Sequence, residues 1–318
     1  MLERLLSPRF LRAALPAIAL AAVLLPIFAI QPRTMSYFGL DLLLNLAIPI
    51  AFATLAQMFI LTVNDLDLGI GAYVSLVACI GATLLNSAPL LGVLALLGCV
   101  AAYTAMGVLI QLRNLPAIVV TLGMSFVWSG VAIMLLPQPG GEAPAWLQGI
   151  MSFKPPGVPF PIVAAVVMGL VVHFGLLRSA TGTILRGTGG NARAVQRAGW
   201  SLLRTKATMY TLAGLFGLLA GLSLVGITTS ADANIALRYT LLSIAGVILG
   251  GGEFVGGRVS PIGAVLGAIT LTLAVSFLSF VRIPSEWQVG SQGAMLILVL
   301  AARAIITRRE GTASWKTA

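Results

Sequence analysis

The groups best suited to acid–base or metal chemistry are few in this 318-residue chain: nine acidic residues, one histidine and two cysteines. Two of the acids, Asp65 and Asp67, fall in one short stretch, Asn64-Asp65-Leu66-Asp67-Leu68-Gly69-Ile70-Gly71, with long apolar sequence on both sides. Carboxylates placed there are costly unless they have a task. One task is to cap the following helix, since Asn and Asp side chains accept hydrogen bonds from free N–H groups at a helix start. The other is to bind a proton, a cation or a polar solute. Glu253 lies in a second unusual stretch, Gly250 to Arg258, where Gly250, Gly251, Gly256 and Gly257 break or tighten a helix and Glu253 can pair with Arg258. That stretch has no Gly-Lys-Ser/Thr ending and no strand before it, so it is not read as a phosphate-binding loop. His173, Cys79 and Cys99 stand alone within apolar runs, as buried side chains do, and no metal site is expected. An enzyme needs such groups to converge, and here they are scattered.

The surroundings explain the cost of these residues. The chain is 58% hydrophobic and 9% charged, with mean hydropathy +1.02, against about 25% charged in soluble domains. It is an integral membrane protein. Its apolar runs are long and continuous, which indicates helices of about 20 residues and excludes the alternating pattern of a barrel. The net charge of +10 is parcelled out between apolar runs, so it serves topology and anionic lipid, and no nucleic acid is implied.

A basic N-terminal flank followed by an apolar run to Ile30 reads as a retained first helix without a cleavage site. Further spans are expected at 41–63, 68–86, 89–111, 116–136, 159–177, 207–226, 239–254, 261–281 and 286–307, ten in all. With both termini in the cytoplasm, fifteen Lys and Arg fall inside, and four, Arg33, Lys154, Arg238 and Arg282, fall outside. That asymmetry agrees with the positive-inside rule. The 137–158 segment, with five prolines, is expected as a helix-free periplasmic loop, and Trp146 and Trp287 sit at the level of an outer aromatic belt. Spans two to five and seven to ten have opposite orientations, as inverted repeats require. The whole of 1–318 is read as one transmembrane domain, all-α and polytopic.

The long polar stretch from Arg178 to Lys206 carries six basic residues and no acid, and is assigned to the cytoplasm. Within Gly189 to Gly199, Asn191 can cap a two-turn helix and Gly199 can stop it. Arg193 and Arg197 then share one face, and Ala194, Val195 and Ala198 another. A helix this short is marginal alone and needs a surface to dock on: the membrane, its own bundle or a cytoplasmic partner.

Four stretches resemble one family. GGNARAVQRAG (189–199) is similar to the GGNxxAAxxxG of ribose-type permease subunits of bacterial ABC importers. NDLDLGIGA (64–72) resembles their IDLSVGS, PAIVVTLGMSFVWSGVAIML (116–135) their PxFIATLGT span, and IAGVILGGGEFVGGRVSPIGAVLGA (244–268) their AxVVLGGxSLSGGxGSxxGTxxGA. The order is the same, and the stretches extend from Asn64 to Ala268. Asp67 stands where the family has Ser, Glu253 where it has a small residue, and Thr240 and Leu242 replace two acidic positions.

The resemblance implies a ten-helix permease in the bacterial inner membrane, working with a second permease, identical or different. It also implies cytoplasmic ATP-binding subunits, which bind ATP and Mg, and a periplasmic substrate-binding protein that delivers a monosaccharide. No cofactor and no catalysis are expected in this chain. Gly189, Gly190, Asn191, Ala194 and Gly199 fall on the family's coupling helix, with Arg193, Arg197 and Ala198 on the same turns. Thr121, Met124, Ser125 and Trp128 in the fifth span are candidates to line or gate the path, alongside Asn64, Asp65 and Asp67; Trp128 otherwise faces lipid or a neighbouring helix. The alternative class is a secondary transporter that uses Asp65 or Asp67 as its ion site.

Overall fold

The computed structural model describes residues 8–284 and isolated positions from 287 to 297. Among them there is no β-strand, only one isolated bridge between Gly140 and Ala231. The helices are α1 (Pro8–Ile30), α2 (Tyr37–Leu44), α3 (Ala47–Thr62), α4 (Ile70–Ala82), α5 (Leu84–Ser87), α6 (Pro89–Arg113) and α7 (Ala117–Leu135), then α8 (Ala145–Met151), α9 (Phe160–Val172), α10 (Ala180–Arg197), α11 (Leu202–Thr228), α12 (Tyr239–Leu249) and α13 (Pro261–Phe280).

Five of these stretches, Ile70–Ser87, Pro89–Arg113, Ala117–Leu135, Leu202–Thr228 and Pro261–Phe280, are long and apolar enough to cross a membrane. The number rises to seven if two bent pairs each count as one span. One pair joins α2 to α3 through a 42° bend, and the other turns 80° between α9 and α10, through a π-helical stretch at His173–Arg178. Two further apolar helices, Ala14–Ile30 and Tyr239–Leu249, are shorter. The expected count of ten spans is not reached among the described residues, and the 286–307 span lies largely outside them.

At the centre α3 is buried on nearly every face, the state of a helix that is apolar all round. It packs between α11, α12 and α13. On α11, Gly217 and Gly221 let α4 approach closely: a methyl group at Gly221 would sit 2.5 Å from Val77. Small residues four apart serve this purpose where lipid removes the hydrophobic drive for helix association.

Three expectations about local structure change. The 137–158 segment does hold a helix, because Pro144 occupies the N-cap of α8 and the proline-free residues after it are free to coil. The capped helix expected from Asn191 is present but does not stand apart in the chain. It continues from the helical residues 180–190 and is set off from them by a kink at Asn191 (φ −156°, ψ 88°). The expected 239–254 span shrinks to the eleven residues of α12, about 16 Å at 1.5 Å per residue.

The reason for the short α12 lies in how it meets α4. Their first turns touch: Gly71 N–H donates to Thr240 Oγ1 (3.0 Å), and Ala236 N–H donates to Ser75 Oγ (3.0 Å). From there α4 runs to Ala82, whose carbonyl accepts from Glu142 N–H, while α12 runs the other way to the 250–258 loop. The chain just before α4 is non-helical, with Asp67 and Gly69 buried, and backbone polar groups buried there require partners inside the protein.

Candidate functional site

The loops sort into two ends. At one end Gly140 bridges Ala231, Glu142 N–H reaches Ala82 O, and Tyr37 Oη donates to Pro155 O (2.7 Å). At the other end the three polar breaks found in the sequence come together. These groupings coincide with the outside and inside sets given by charge, so every one of these loop contacts joins segments assigned to the same side.

Asn64 is the meeting point. Its backbone is left-handed (φ 61°), a conformation that Asn tolerates better than most residues. This aims the side chain outward from the α3–α4 turn. Asn64 Nδ2 donates to Gly189 O at 2.7 Å, and Asn64 Oδ1 accepts from Gly256 N–H at 3.0 Å. The surrounding backbones touch without side chains between them. A methyl group at Gly189 would lie 2.2 Å from Thr62 O, and one at Gly257 (φ 64°) would lie 2.2 Å from Arg186 O. Gly190 and Gly251 are looser: the nearest atom to a methyl at Gly190 is Gly256 O at 3.6 Å, and one at Gly251 would meet nothing. Gly250 packs on Gly263, and Glu253 and Arg258 pair at 3.7 Å. A cavity of about 850 Å³ opens alongside, lined by His173, Thr183, Arg186, Glu253 and Arg258 among others.

Beyond the kink the segment from Asn191 matches the capped helix read from sequence. Asn191 Oδ1 accepts from Ala194 N–H at 3.0 Å, and Gly199 takes the left-handed stop (φ 86°). Arg193, Arg197, Ala194 and Ala198 are exposed, whereas Val195 is half-buried and turns back toward Gly187. Ser201 then caps α11 through Arg204 N–H.

The two acids have different surroundings. Asp65 accepts from Lys206 Nζ (2.9 Å to Oδ2) and from Tyr210 Oη (2.9 Å), with both charged side chains mostly buried. It ties the α3–α4 turn to the first turns of α11 and caps no helix. Asp67 is 1% exposed. Its Oδ1 accepts from Gly69 N–H at 2.7 Å, two residues on and just before α4, and its Oδ2 accepts from Tyr103 Oη; no side chain caps the first turn of α4.

Thr121 is wholly buried and pins this same turn: its Oγ1 accepts from Leu68 N–H (3.1 Å) and lies 3.2 Å from Leu66 O. The Gln57 carboxamide, oriented to satisfy both groups, pairs with the N–H and C=O of Asp67. Met124 and Ser125 are half-buried on α7, and Ser125 Oγ bonds back to Leu122 O. Trp128 is buried in an aromatic cluster, parallel to Tyr103 at 6.3 Å and edge-on to Tyr73 at 5.5 Å. Its Nε1 has no hydrogen-bond partner among the described residues.

Sequence reasoning passed over Gln57, Tyr103, Lys206 and Tyr210 as partners. A carboxamide deep within an apolar span, as at Gln57, was an available signal; the tyrosines gave none, since their roles depend on which helices pack together. Among the described residues no cluster of three potential metal ligands occurs.

A bundle of apolar helices with a broken helix pair is the architecture of a multi-pass membrane protein. The chain belongs to the family described as branched-chain amino acid transport system / permease component, which matches residues 39–300. It is 28% identical over 302 residues to the probable ABC transporter permease protein y4mJ of Sinorhizobium fredii, covering 92% of this chain and 89% of that one. The ribose import permease protein RbsC of Escherichia coli is 25% identical over 293 residues, 89% of this chain and 91% of RbsC. The autoinducer 2 import system permease protein LsrD of Salmonella paratyphi A is 25% identical over 313 residues, 94% of each. No solved structure matches.

The chain is thus the permease subunit of an ABC importer, a multi-pass inner-membrane protein. It is not an enzyme, since ATP hydrolysis lies in separate subunits. The family implies ATP-binding and periplasmic binding-protein partners. Nothing in the comparisons supports the ion-coupled alternative.

Proposed function

We propose that this chain forms, with a second permease subunit, the path by which a small polar solute, a monosaccharide or a close chemical relative, enters the cell after delivery by a periplasmic binding protein. ATP and Mg bind in the partner subunits, and the end carrying Asn64, Gly189 and Gly256 faces them, with both termini in the cytoplasm. The relatives named for ribose and autoinducer 2 import support the solute class. The predominance of basic residues at this end supports the orientation. Alternating access follows when closure of the ATP-binding subunits moves the coupling helix and, through it, one half of the bundle against the other. Within this reading Met124 and Ser125 on α7 line the path, Trp128 backs α7 from its aromatic cluster, and Asp67 and Thr121 hold the broken helix beside it.

The observation that carries the reading is the helix from Asn191 to Gly199: capped, exposed, and rooted at Gly189 on two other breaks. Replacing Ala194 or Ala198 with Glu puts a bulky charge on its outward face without touching the bundle. Copurification of the ATP-binding subunits and binding-protein-stimulated ATP hydrolysis are both expected to fall; if neither changes, this helix has no coupling role.

A further inference from the structure

Resting on that reading of the coupling helix, we propose that Asn64 is a positioning residue for transport: its carboxamide is the link through which movement of the coupling helix reaches both halves of the bundle. Asn64 belongs to the turn between α3 and α4, in the first half. Its Oδ1 holds Gly256 of the 250–258 loop, in the second half, and its Nδ2 holds Gly189, two residues before the kink that starts the coupling helix. The two partners are 192 and 125 residues away in sequence. A left-handed turn alone would be served as well by glycine, which has no side chain to make either bond. Both ends of the amide are used, and both on backbone groups, so the link is independent of the rotamers of its partners.

The packing around it makes the link stiff. Gly189 lies against Thr62 O and Gly257, and Gly257 against Arg186 O, so backbones meet with no side chain between them to absorb a displacement. Contact of this kind transmits a push, since packed interiors deform little. It does not transmit a pull or a sideways slide, which need directional bonds, and the Asn64 carboxamide supplies one to each side. The neighbouring Asp65 extends the same turn to Lys206 and Tyr210 on α11. The coupling helix is therefore held from the chain before it and from the chain after it by two consecutive residues of one turn.

The test uses the whole importer, the permease with its ATP-binding subunits and binding protein, in liposomes. An environment-sensitive thiol fluorophore is placed at Gln196→Cys, on the exposed coupling helix, or at Val255→Cys, in the exposed loop; native Cys79 and Cys99 are buried and not labelled. In the otherwise unaltered protein, ATP is expected to change the emission at both sites. Asn64→Gly keeps the left-handed backbone and removes both bonds. In that variant position 196 still responds, position 255 does not, and the ratio of binding-protein-stimulated to basal ATP hydrolysis falls about tenfold, within the usual range of coupling between sites.

If Asn64→Gly does not copurify with the ATP-binding subunits, Asn64→Asp is read in its place. It retains the bond from Gly256 N–H, sets a carboxylate against Gly189 O, and is expected to separate the two responses in the same way. Position 255 following position 196 with an unchanged ratio in whichever variant is read overturns the proposal and leaves the coupling helix intact. A probe at 196 that is blind to ATP in the unaltered protein overturns the coupling-helix reading and this proposal with it.

Discussion

Two adjacent glycines, alike in sequence, should respond in opposite ways to the same substitution. At Gly189 an added methyl group would lie 2.2 Å from Thr62 O, 2.7 Å from Gly257 Cα and 2.9 Å from Gly257 N. All three are backbone atoms, so no side chain can swing aside, and α10 must retreat by about 1 Å to restore ordinary contact, an overpacking cost of about 1–3 kcal/mol. The retreat also stretches the 2.7 Å bond from Asn64 Nδ2 to Gly189 O, adding about 0.5–1.5 kcal/mol. At Gly190 the nearest atom to the added methyl is Gly256 O at 3.6 Å, ordinary contact. There Ala in place of Gly gains about 0.5–1 kcal/mol from lost chain entropy.

Thermal melting of the purified permease reads the difference. At about 2 °C per kcal/mol for a chain of this size, Gly189→Ala should melt about 3–9 °C below the parent, while Gly190→Ala should match or slightly exceed it. Equal melting of the two variants would refute the claim that the coupling segment is rooted on backbone at Gly189.

Two further outcomes are expected. Asp65→Asn leaves Lys206 mostly buried beside a neutral group and should cost about 3 kcal/mol, whereas Asp65→Asn combined with Lys206→Met should recover much of the loss; additive melting shifts in this cycle would show that the pair does not couple the α3–α4 turn to α11. Thr121→Val keeps the shape of the side chain and orphans the buried Leu68 N–H, at a cost of about 1–3 kcal/mol, while Thr121→Ser should stay near the parent; indistinguishable melting of Val and Ser would remove Thr121 from the broken-helix turn.

The membrane class, the helical fold and the positions of the breaks were legible in the sequence because each depends on local composition. Apolar runs of membrane length, glycine clusters and a basic interval keep their meaning whatever they pack against. The short helix from Asn191 was legible for the same reason: Asn191 caps Ala194 N–H three residues on, and Gly199 stops the helix, both within two turns. The helix in 145–151 was missed because prolines were read as forbidding helix throughout, when Pro144 at the N-cap permits one immediately after it.

What the sequence could not decide is who touches whom. Asp65 and Asp67 are two residues apart and look equivalent, yet one pairs with Lys206 and the other accepts from Tyr103 Oη, because each faces a different helix. The shortness of α12 follows from a meeting of helix starts 169 residues apart at Gly71 and Thr240. Gly189 and Gly190 read as a pair, and only the packing of Thr62 and Gly257 against the first separates them. Asn64, nominated beside the acids for the path, is placed by a left-handed backbone where its side chain spans three segments. The sequence by itself determined which residues break the apolar pattern. The tertiary structure decided that three of those breaks are one assembly, because hydrogen bonds and backbone contacts across 125 and 192 residues exist only once the bundle has closed.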